Sequence, residues 1–552
     1  MTDEHERRSS IDDVRGIAQA WRDAEPDDDV RVEIDALLAG DPEVLRERFT
    51  GGLVFGTAGL RAAIGAGPRR MNRLVVRRAA AGLVDRLLAE GGDTAERGLV
   101  VGWDARPKSD DFARDTARVA AARGMKVYLM PGEVPTPVLA WNITRLGCAA
   151  GVMVTASHNP PSDNGYKVYL GSGAQIVPPI DTEIAAAIDS LDATRIELAP
   201  LDDPRIVDLS ASVVDDYVAF VPSTALVPES KLTGSRVKVA YTALHGVGGE
   251  IVSRVMNTSE GVDLVVVDRQ QRPDGSFPTV SFPNPEEPGA MDDVIDLATR
   301  VGADVALAND PDADRLGVAI PVEGGGWRRL SGDEIGWLLA DHVLSHTSGD
   351  DRLVVSTLVS SSLVGRMARE AGVHFEESYT GFKWIADVAR RFPDERLVFA
   401  YEQALGYLVG GDPLDKDGIS AALMVVEIAR LARNDGTTIE GRLRSIADRF
   451  GSYRTVEASI PLSPDRGTRV VANFEASPPS QIAGRNVASI EAHPEASLVR
   501  VLLEGPNSVR VQIRPSGTEP KVKLYGEAID LDPTPFVNAV RDLLIETDRR
   551  AE

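Results

Sequence analysis

"GVMVTASHNPPSDNGYKVYL", residues 151–170, carries an apolar run into a polar turn and out again as an alternating segment. A short apolar run with no polar alternation suits a strand covered on both faces, as in a parallel sheet flanked by helices. The turn presents Thr155, Ser157, His158 and Asn159, and two prolines then bar a helix. The segment after them returns as a second strand carrying Lys167.

Working outward, this strand closes a longer rhythm. "RGLVVGWDA", "DDFARDTARVAAARG", "MKVYLM", "TPVLAWNITRLG" and "CAAGVMVTA" alternate strand and helix patterns, a βαβαβ run. A second run, from "RVKVAYTAL" to "ADVALAND", ends at "DPDADR"; a third, from "RLVVSTLV" to "RLVFAYE", ends at "EQALGY". Such alternation predicts α/β domains with mixed or parallel sheets between helices, and their ligands sit beyond the carboxyl ends of the strands. The polar group closing each run is therefore where chemistry is expected, in one shared central cleft. From residue 456 the pattern becomes two alternating strands around "RPSGTEP" and a closing helix, a smaller α+β domain. The predicted organisation is a helical extension over 1–50, then domains over 51–210, 211–330, 331–455 and 456–552.

Composition narrows the function. Lys and Arg number 60 against 84 Asp and Glu, a net charge of −24, which argues against nucleic acid or an anionic membrane as the main partner. One cysteine, Cys148, precludes an intrachain disulfide and suits a reducing cytoplasm. No secretory pattern opens the chain and no long apolar stretch predicts a membrane span.

Asp310, Asp312 and Asp314 stand at alternate positions, which in an extended loop would send all three carboxylates to one side. Hard oxygen ligands in that number suit Mg2+ completed by a phosphate oxygen, whereas two aspartates alone would read as a solvated turn. An EF-hand is excluded by Arg315 at the sixth position and Pro321 at the twelfth. In "RPSGTEPK", Arg514, Ser516, Gly517 and Thr518 combine a guanidinium, two hydroxyls and a flexible backbone, suited to phosphate oxygens or to an ordinary polar hairpin. Ser157 lacks the elbow motif of an acyl hydrolase. As a phosphoryl acceptor it would need a divalent cation and cationic neighbours, both of which the chain supplies. "FGTAGLR" ends on Arg61; Arg69, Arg70, Arg73, Arg77 and Arg78 beyond it read mostly as a solvated helix face. Glu402 closes the third run, where a carboxylate can accept two sugar hydroxyls, and Lys383 in "TGFK" suits a sugar phosphate.

Taken in order, "TASHNP", "DPDADR", "YEQALGY" and "RPSGTEPK" resemble the α-D-phosphohexomutase superfamily, and "FGTAGLR", "NGYK", "TGFK" and "DKDGISAA" resemble its long phosphoglucomutase/phosphopentomutase-like branch. The resemblance runs from about residue 50 to the end. It implies a four-domain, heart-shaped enzyme with a central cleft and a phosphoserine at Ser157. By the same resemblance Asp310, Asp312 and Asp314, with the Ser157 phosphate, bind one Mg2+. Lys167 becomes a candidate general base or acid, with His158 a second, while Arg61 and Arg315 bring positive charge to the reacting centre. Gly381, Lys383 and Glu402 would meet the sugar phosphate, and Arg514, Ser516, Gly517 and Thr518 the phosphate that is not reacting. Many relatives read Glu-x-Ser-Gly at the sugar loop, whereas Gln403 and Ala404 follow Glu402 here, and Phe382 stands where some mannose/glucose mutases have histidine.

The expectation is a cytoplasmic mutase interconverting hexose 1-phosphate and hexose 6-phosphate, glucose first, with hexose 1,6-bisphosphate as intermediate and activator. Mannose or pentose phosphates are the alternative substrates, and N-acetylglucosamine phosphates are not expected to react. A metal-dependent sugar-phosphate phosphatase and an inactive sugar-phosphate sensor are the readings from other classes. The expected partners are small sugar phosphates, with a monomer and a homodimer both open.

Overall fold

Each of the three strand–helix runs closes a sheet of its own, and each sheet ends the same way. The computed structural model of the chain describes residues 10–56, 59–516 and 520–551. The first sheet contains β1 (Leu60–Ala63), β2 (Leu99–Trp103), β3 (Val127–Glu133), β4 (Ala150–Val154), β5 (Asp163–Leu170) and β6 (Ile206–Asp208), in the order β1-β5-β4-β2-β3-β6. Strands β6, β3, β2 and β4 run parallel, then β5 reverses against β4 with Met153 opposite Lys167. Strands β2 and β4 are buried at every position, which is why they read as unbroken apolar runs.

The second sheet, β7 (Val237–Thr242), β8 (Val262–Val266), β9 (Val305–Asn309), β10 (Leu316–Pro321) and β11 (Trp327–Arg329), also has a parallel centre, with β10 antiparallel to β9. The third, β12 (Arg352–Thr357), β13 (His374–Ser378), β14 (Arg396–Glu402) and β15 (Gly406–Val409), repeats the plan. Every motif that closes a run thus lies in the hairpin where a parallel strand hands over to an antiparallel one.

The C-terminal part holds more than the two strands and one helix expected of it. Strands β16 (Tyr453–Pro461), β17 (Gln481–Ile482), β18 (Arg485–His493), β19 (Leu498–Leu503), β20 (Val509–Pro515) and β21 (Lys521–Ile529) form an antiparallel sheet, with helices at Pro464–Ala476 and Thr534–Ala551. Half-exposed strands such as β18 carry too many polar residues for a confident apolar period, so the pattern faded there.

One continuous apolar core runs through the first three sheets and takes in Trp21 and Phe49 of the N-terminal helices Ile11–Ala24 and Pro42–Phe49. The fourth sheet has a core of its own, including Val511, Leu524 and Val540. It is seated on the loop after β12: Arg510 Nη2 donates to Ser360 O at 2.7 Å, Gln512 Nε2 to Leu358 O at 2.6 Å, and Ser362 Oγ to Glu527 at 2.6 Å. The apolar part of that seat is small, centred on Leu358, Val359, Leu498 and Tyr525.

The arginine-rich helix Arg73–Leu88 departs from its expected solvated face. Asn72 caps its start, and Arg73 and Arg77 turn inward to the fully buried Asp115, with Nε 2.7 Å and 2.8 Å from the same carboxylate oxygen. Two guanidiniums are needed because a lone carboxylate buried here would be uncompensated. Asp115→Ala should therefore cost about 3–5 kcal/mol, the range for a broken buried pair, read as a lower urea midpoint.

Candidate active site

Three of the hairpins bring their loops to one place at the carboxyl ends of the parallel strands. At the end of β4, Ser157 adopts a left-handed backbone, φ +52°, uncommon for a residue with a Cβ. Its N–H donates to Thr155 Oγ1 at 2.8 Å, and its hydroxyl donates to Asp310 Oδ2 at 2.8 Å, across from the first domain to the second. His158 Nδ1 lies 3.2 Å from the same hydroxyl oxygen.

Asp310, Asp312 and Asp314 are fully buried, with one oxygen of each within 4.8 Å of the others. Convergence comes from a tight turn, not from the alternation of an extended loop: Ala313 N donates back to Asp310 O, and Ala313 itself is left-handed at φ +54°. Asp312 Oδ2 accepts from Lys167 Nζ at 2.6 Å and Thr136 Oγ1 at 2.7 Å; Asp314 Oδ2 accepts from Lys167 Nζ at 2.9 Å and pairs with Lys416 Nζ at 3.1 Å. The other oxygens, Asp312 Oδ1 and Asp314 Oδ1, are buried and accept no hydrogen bond among the described residues. Unmatched carboxylate oxygens beside a serine hydroxyl are a donor set of hard ligands, and they fit a divalent cation.

The charges divide unevenly. Burial, then Asp312 and Asp314, push the Asp310 carboxyl well above the ordinary range. Burial also opposes ionisation of Asp312, but Lys167 and the Thr136 hydroxyl hold it well below that range, and Lys167 with Lys416 lower Asp314. In return Lys167 is raised despite its burial, so it stands as an ammonium tied to two carboxylates. His158 is held well below its ordinary value by burial and by Arg315 and Arg61, and stands as a neutral imidazole.

Arg315 stitches the aspartate turn to the hairpin between β14 and β15. Its backbone N–H donates to Asp310 Oδ1 at 3.0 Å, its Nη1 to Ala404 O at 3.1 Å, and its buried Nε has no hydrogen-bond partner. Arg61, on β1, donates to Asn159 Oδ1 at 3.1 Å. Glu402 ends β14 and accepts from Gly381 N at 3.1 Å; Gly381 precedes helix Phe382–Arg391 at φ +110°, where a side chain would be strained. Gln403 is buried and bonds Ser360 Oγ at 3.2 Å and Glu457 Oε1 at 3.4 Å. Burial pushes Lys383 down to about 8, offset by Glu402 and Asp181 and reinforced by the positive charge of Arg514. Arg514 ends β20 and Ser516 N donates to Lys521 O at 2.8 Å; Gly517 and Thr518 lie outside the described residues.

The sequence reading missed Thr136 and Lys416. Lys416 is buried, its pKa raised by Asp314 and Asp415 against the effect of burial. Its signal was the Asp-Lys-Asp triplet in "DKDGISAA", where Asp417 caps helix Gly418–Asn434 by accepting from Ile419 N at 2.8 Å. A cation between two acids at a helix start, following an apolar strand, carries the same mark as the other loops.

Family models for phosphoglucomutase/phosphomannomutase alpha/beta/alpha domains I, II and III match residues 52–195, 215–324 and 331–450 in that order. The chain belongs to that family. It is a phosphosugar mutase, a phosphohexomutase-type isomerase of the α-D-phosphohexomutase superfamily, built of three α/β/α domains and a smaller sheet-rich C-terminal domain. It is 42% identical to the "Probable phosphomannomutase" of Haemophilus influenzae over 84% of this chain and 94% of that protein. It is 35% identical to the "Probable phosphoribomutase" of Schizosaccharomyces pombe over 93% of both. The crystal structure of a phosphoglucomutase/phosphomannomutase family protein from Burkholderia thailandensis superposes with a TM-score of 0.68, at 22% identity, over 90% of this chain and 97% of that one. Among the described residues no helix is long and apolar enough to cross a membrane.

The orphaned carboxylate oxygens make a direct prediction. Titrating Mn2+ into the purified chain should reveal one site by calorimetry, and Asp312→Ala and Asp314→Ala should each abolish it; undiminished binding in both variants would rule the triad out.

Proposed function

We propose that the chain interconverts hexose 1-phosphate and hexose 6-phosphate, glucose first, through a phosphoserine at Ser157 and a hexose 1,6-bisphosphate. The observation that carries this reading is the Ser157 hydroxyl bonded to Asp310 beside two carboxylate oxygens that accept no hydrogen bond among the described residues. A Mg2+ ion held by Asp310, Asp312, Asp314 and a Ser157 phosphate oxygen would offset the charge on the phosphoryl group.

The residues then divide the work. The phosphoryl group leaves Ser157 as its P–Oγ bond breaks and a P–O bond to the free sugar hydroxyl forms. The hydroxyl's proton passes to neutral His158, which is close enough to the serine oxygen to return it there. Lys167, already an ammonium between two aspartates, keeps those carboxylates ionised and is a poor base. The unpartnered Nε of Arg315 and the Arg61 guanidinium face developing charge on the phosphoryl oxygens. Glu402 accepts sugar hydroxyls, while Lys383, Arg514, Ser516, Gly517 and Thr518 hold the idle phosphate. The bisphosphate turns in the cleft, and its other phosphoryl group returns to Ser157. A cytoplasmic enzyme agrees with the single, buried Cys148.

A pentose phosphate is the second reading. It is favoured by the full-length similarity to a relative named a phosphoribomutase and by the absence of a serine at Ala404.

Coupled assays with glucose 1-phosphate, mannose 1-phosphate and ribose 1-phosphate, with and without catalytic glucose 1,6-bisphosphate, separate these readings. Isomerisation of the hexoses, lost in Ser157→Ala, is the expected result; release of inorganic phosphate without isomerisation would show a phosphatase. Lys383 gives a pH signature. Its ammonium is present below pH 8 and lost above it, so kcat/KM should fall as pH rises through about 8. Lys383→Arg, which stays charged, should remove that fall.

A further inference from the structure

Behind the phosphoserine loop lies a buried arginine that no step of the reaction uses. Arg106 follows β2, and its side chain is wholly shielded from solvent. Its Nη2 donates to Ser157 O and Asn159 O, both at 2.6 Å, and its Nη1 to Pro160 O at 2.7 Å and Asp163 O at 2.9 Å. One guanidinium therefore collects four main-chain carbonyls of a single seven-residue span. Its flat face lies 5.0 Å from the centre of the Phe277 ring, brought from the second domain.

The same loop is held from its other end. Asp104, two residues before Arg106, accepts from Thr155 Oγ1 at 2.6 Å and from Ser109 Oγ at 2.8 Å. Thr155 Oγ1 in turn accepts from Ser157 N at 2.8 Å. The peptide unit on each side of the left-handed serine is thus fixed: its N–H through Thr155 to Asp104, its carbonyl by Arg106. A non-glycine residue keeps such a backbone only where its surroundings over-determine it.

We propose that Arg106, with Asp104 and Thr155, is a positioning device that holds Ser157 in its left-handed conformation with its hydroxyl in register with Asp310. The inference rests on Ser157 being the phosphate carrier. The side chains of Arg106, Asp104 and Thr155 are spent on the loop's own backbone and on one another, so their loss should act on phosphoryl transfer and leave substrate binding in place. Lysine is no substitute, because one ammonium cannot reach four carbonyls in a fork.

The test uses the full chain. Mass spectrometry after incubation with glucose 1,6-bisphosphate first establishes whether wild-type Ser157 takes up phosphate; absence of uptake there overturns the carrier reading and not the positioning role alone. With uptake established, Arg106→Lys should lower kcat about 100-fold, the loss typical of a misplacement near 1 Å, with KM for the sugar phosphate unchanged and slower labelling of Ser157. Arg106→Ala should recover activity in added guanidinium, which can enter from a groove of about 910 Å3 whose lining includes this residue. Wild-type kcat in Arg106→Lys, or a rise in KM with kcat intact, would overturn the proposal. Thr155→Val, which keeps the side chain's shape and breaks only the hydroxyl link, guards against a misfolded arginine variant: a kcat fall at unchanged KM supports the device, and an unaltered kcat refutes it.

Discussion

Three carboxylates buried within reach of one another are the costliest feature of this molecule, and much of its architecture answers to them. Two unit charges about 4 Å apart repel by about 4 kcal/mol at an effective dielectric of 20. The compensating cations come from elsewhere in the chain: Lys167 from the first domain's antiparallel strand, Lys416 from the third domain's helix start, and Arg315 from the far side of the same turn. None could be moved without stranding a buried charge, so the electrostatics of one loop fix how three domains meet. The compensation is incomplete, and the two oxygens left over are what give the site an appetite for a cation.

The hairpin that carries Glu402 is held by different means. Glu402 is oriented by a backbone amide that only an unusual glycine can present, and its neighbour Gln403 is spent on links to Ser360 and Glu457. That hairpin is therefore tied both to its own domain and to the first strand of the fourth domain. If it meets the sugar as proposed, selection would depend on how the two domains are held together as well as on which residues line it.

Much of the candidate site was legible in the sequence because it sits where the fold must place it. A strand buried on both faces announces itself as an apolar run, and the polar residues that end it have nowhere to go but the cleft, which is why Ser157, Asp310 and Glu402 could be picked out. Roles that depend on long-range pairing were not legible. Arg73 and Arg77 look solvated until Asp115 arrives from another helix, and Lys416 gains its meaning from Asp314, a hundred residues away in chain and adjacent in space. The left-handed turn at Ala313 was likewise hidden, since alanine gives no local sign of it. In the fourth domain the half-exposed strands blurred the period, and only the hairpin around Arg514 stood out.

The division between one core shared by three sheets and a separate core for the fourth has a mechanical meaning. The serine, the carboxylate turn and the lysines belong to the shared block, so their spacing is protected by its full cooperativity. Arg514 rides on a body fastened by Arg510 and Gln512 to backbone carbonyls, by Ser362 to Glu527, by the Arg500–Glu377 ion pair, by a small apolar seat and by Tyr453 at the edge of the shared core. Opening that fastening would cost a local free energy, far less than unfolding the block that holds Ser157 and the three aspartates. The fourth sheet is thus the part that yields first under strain, with the spacing of serine, carboxylates and lysines left intact.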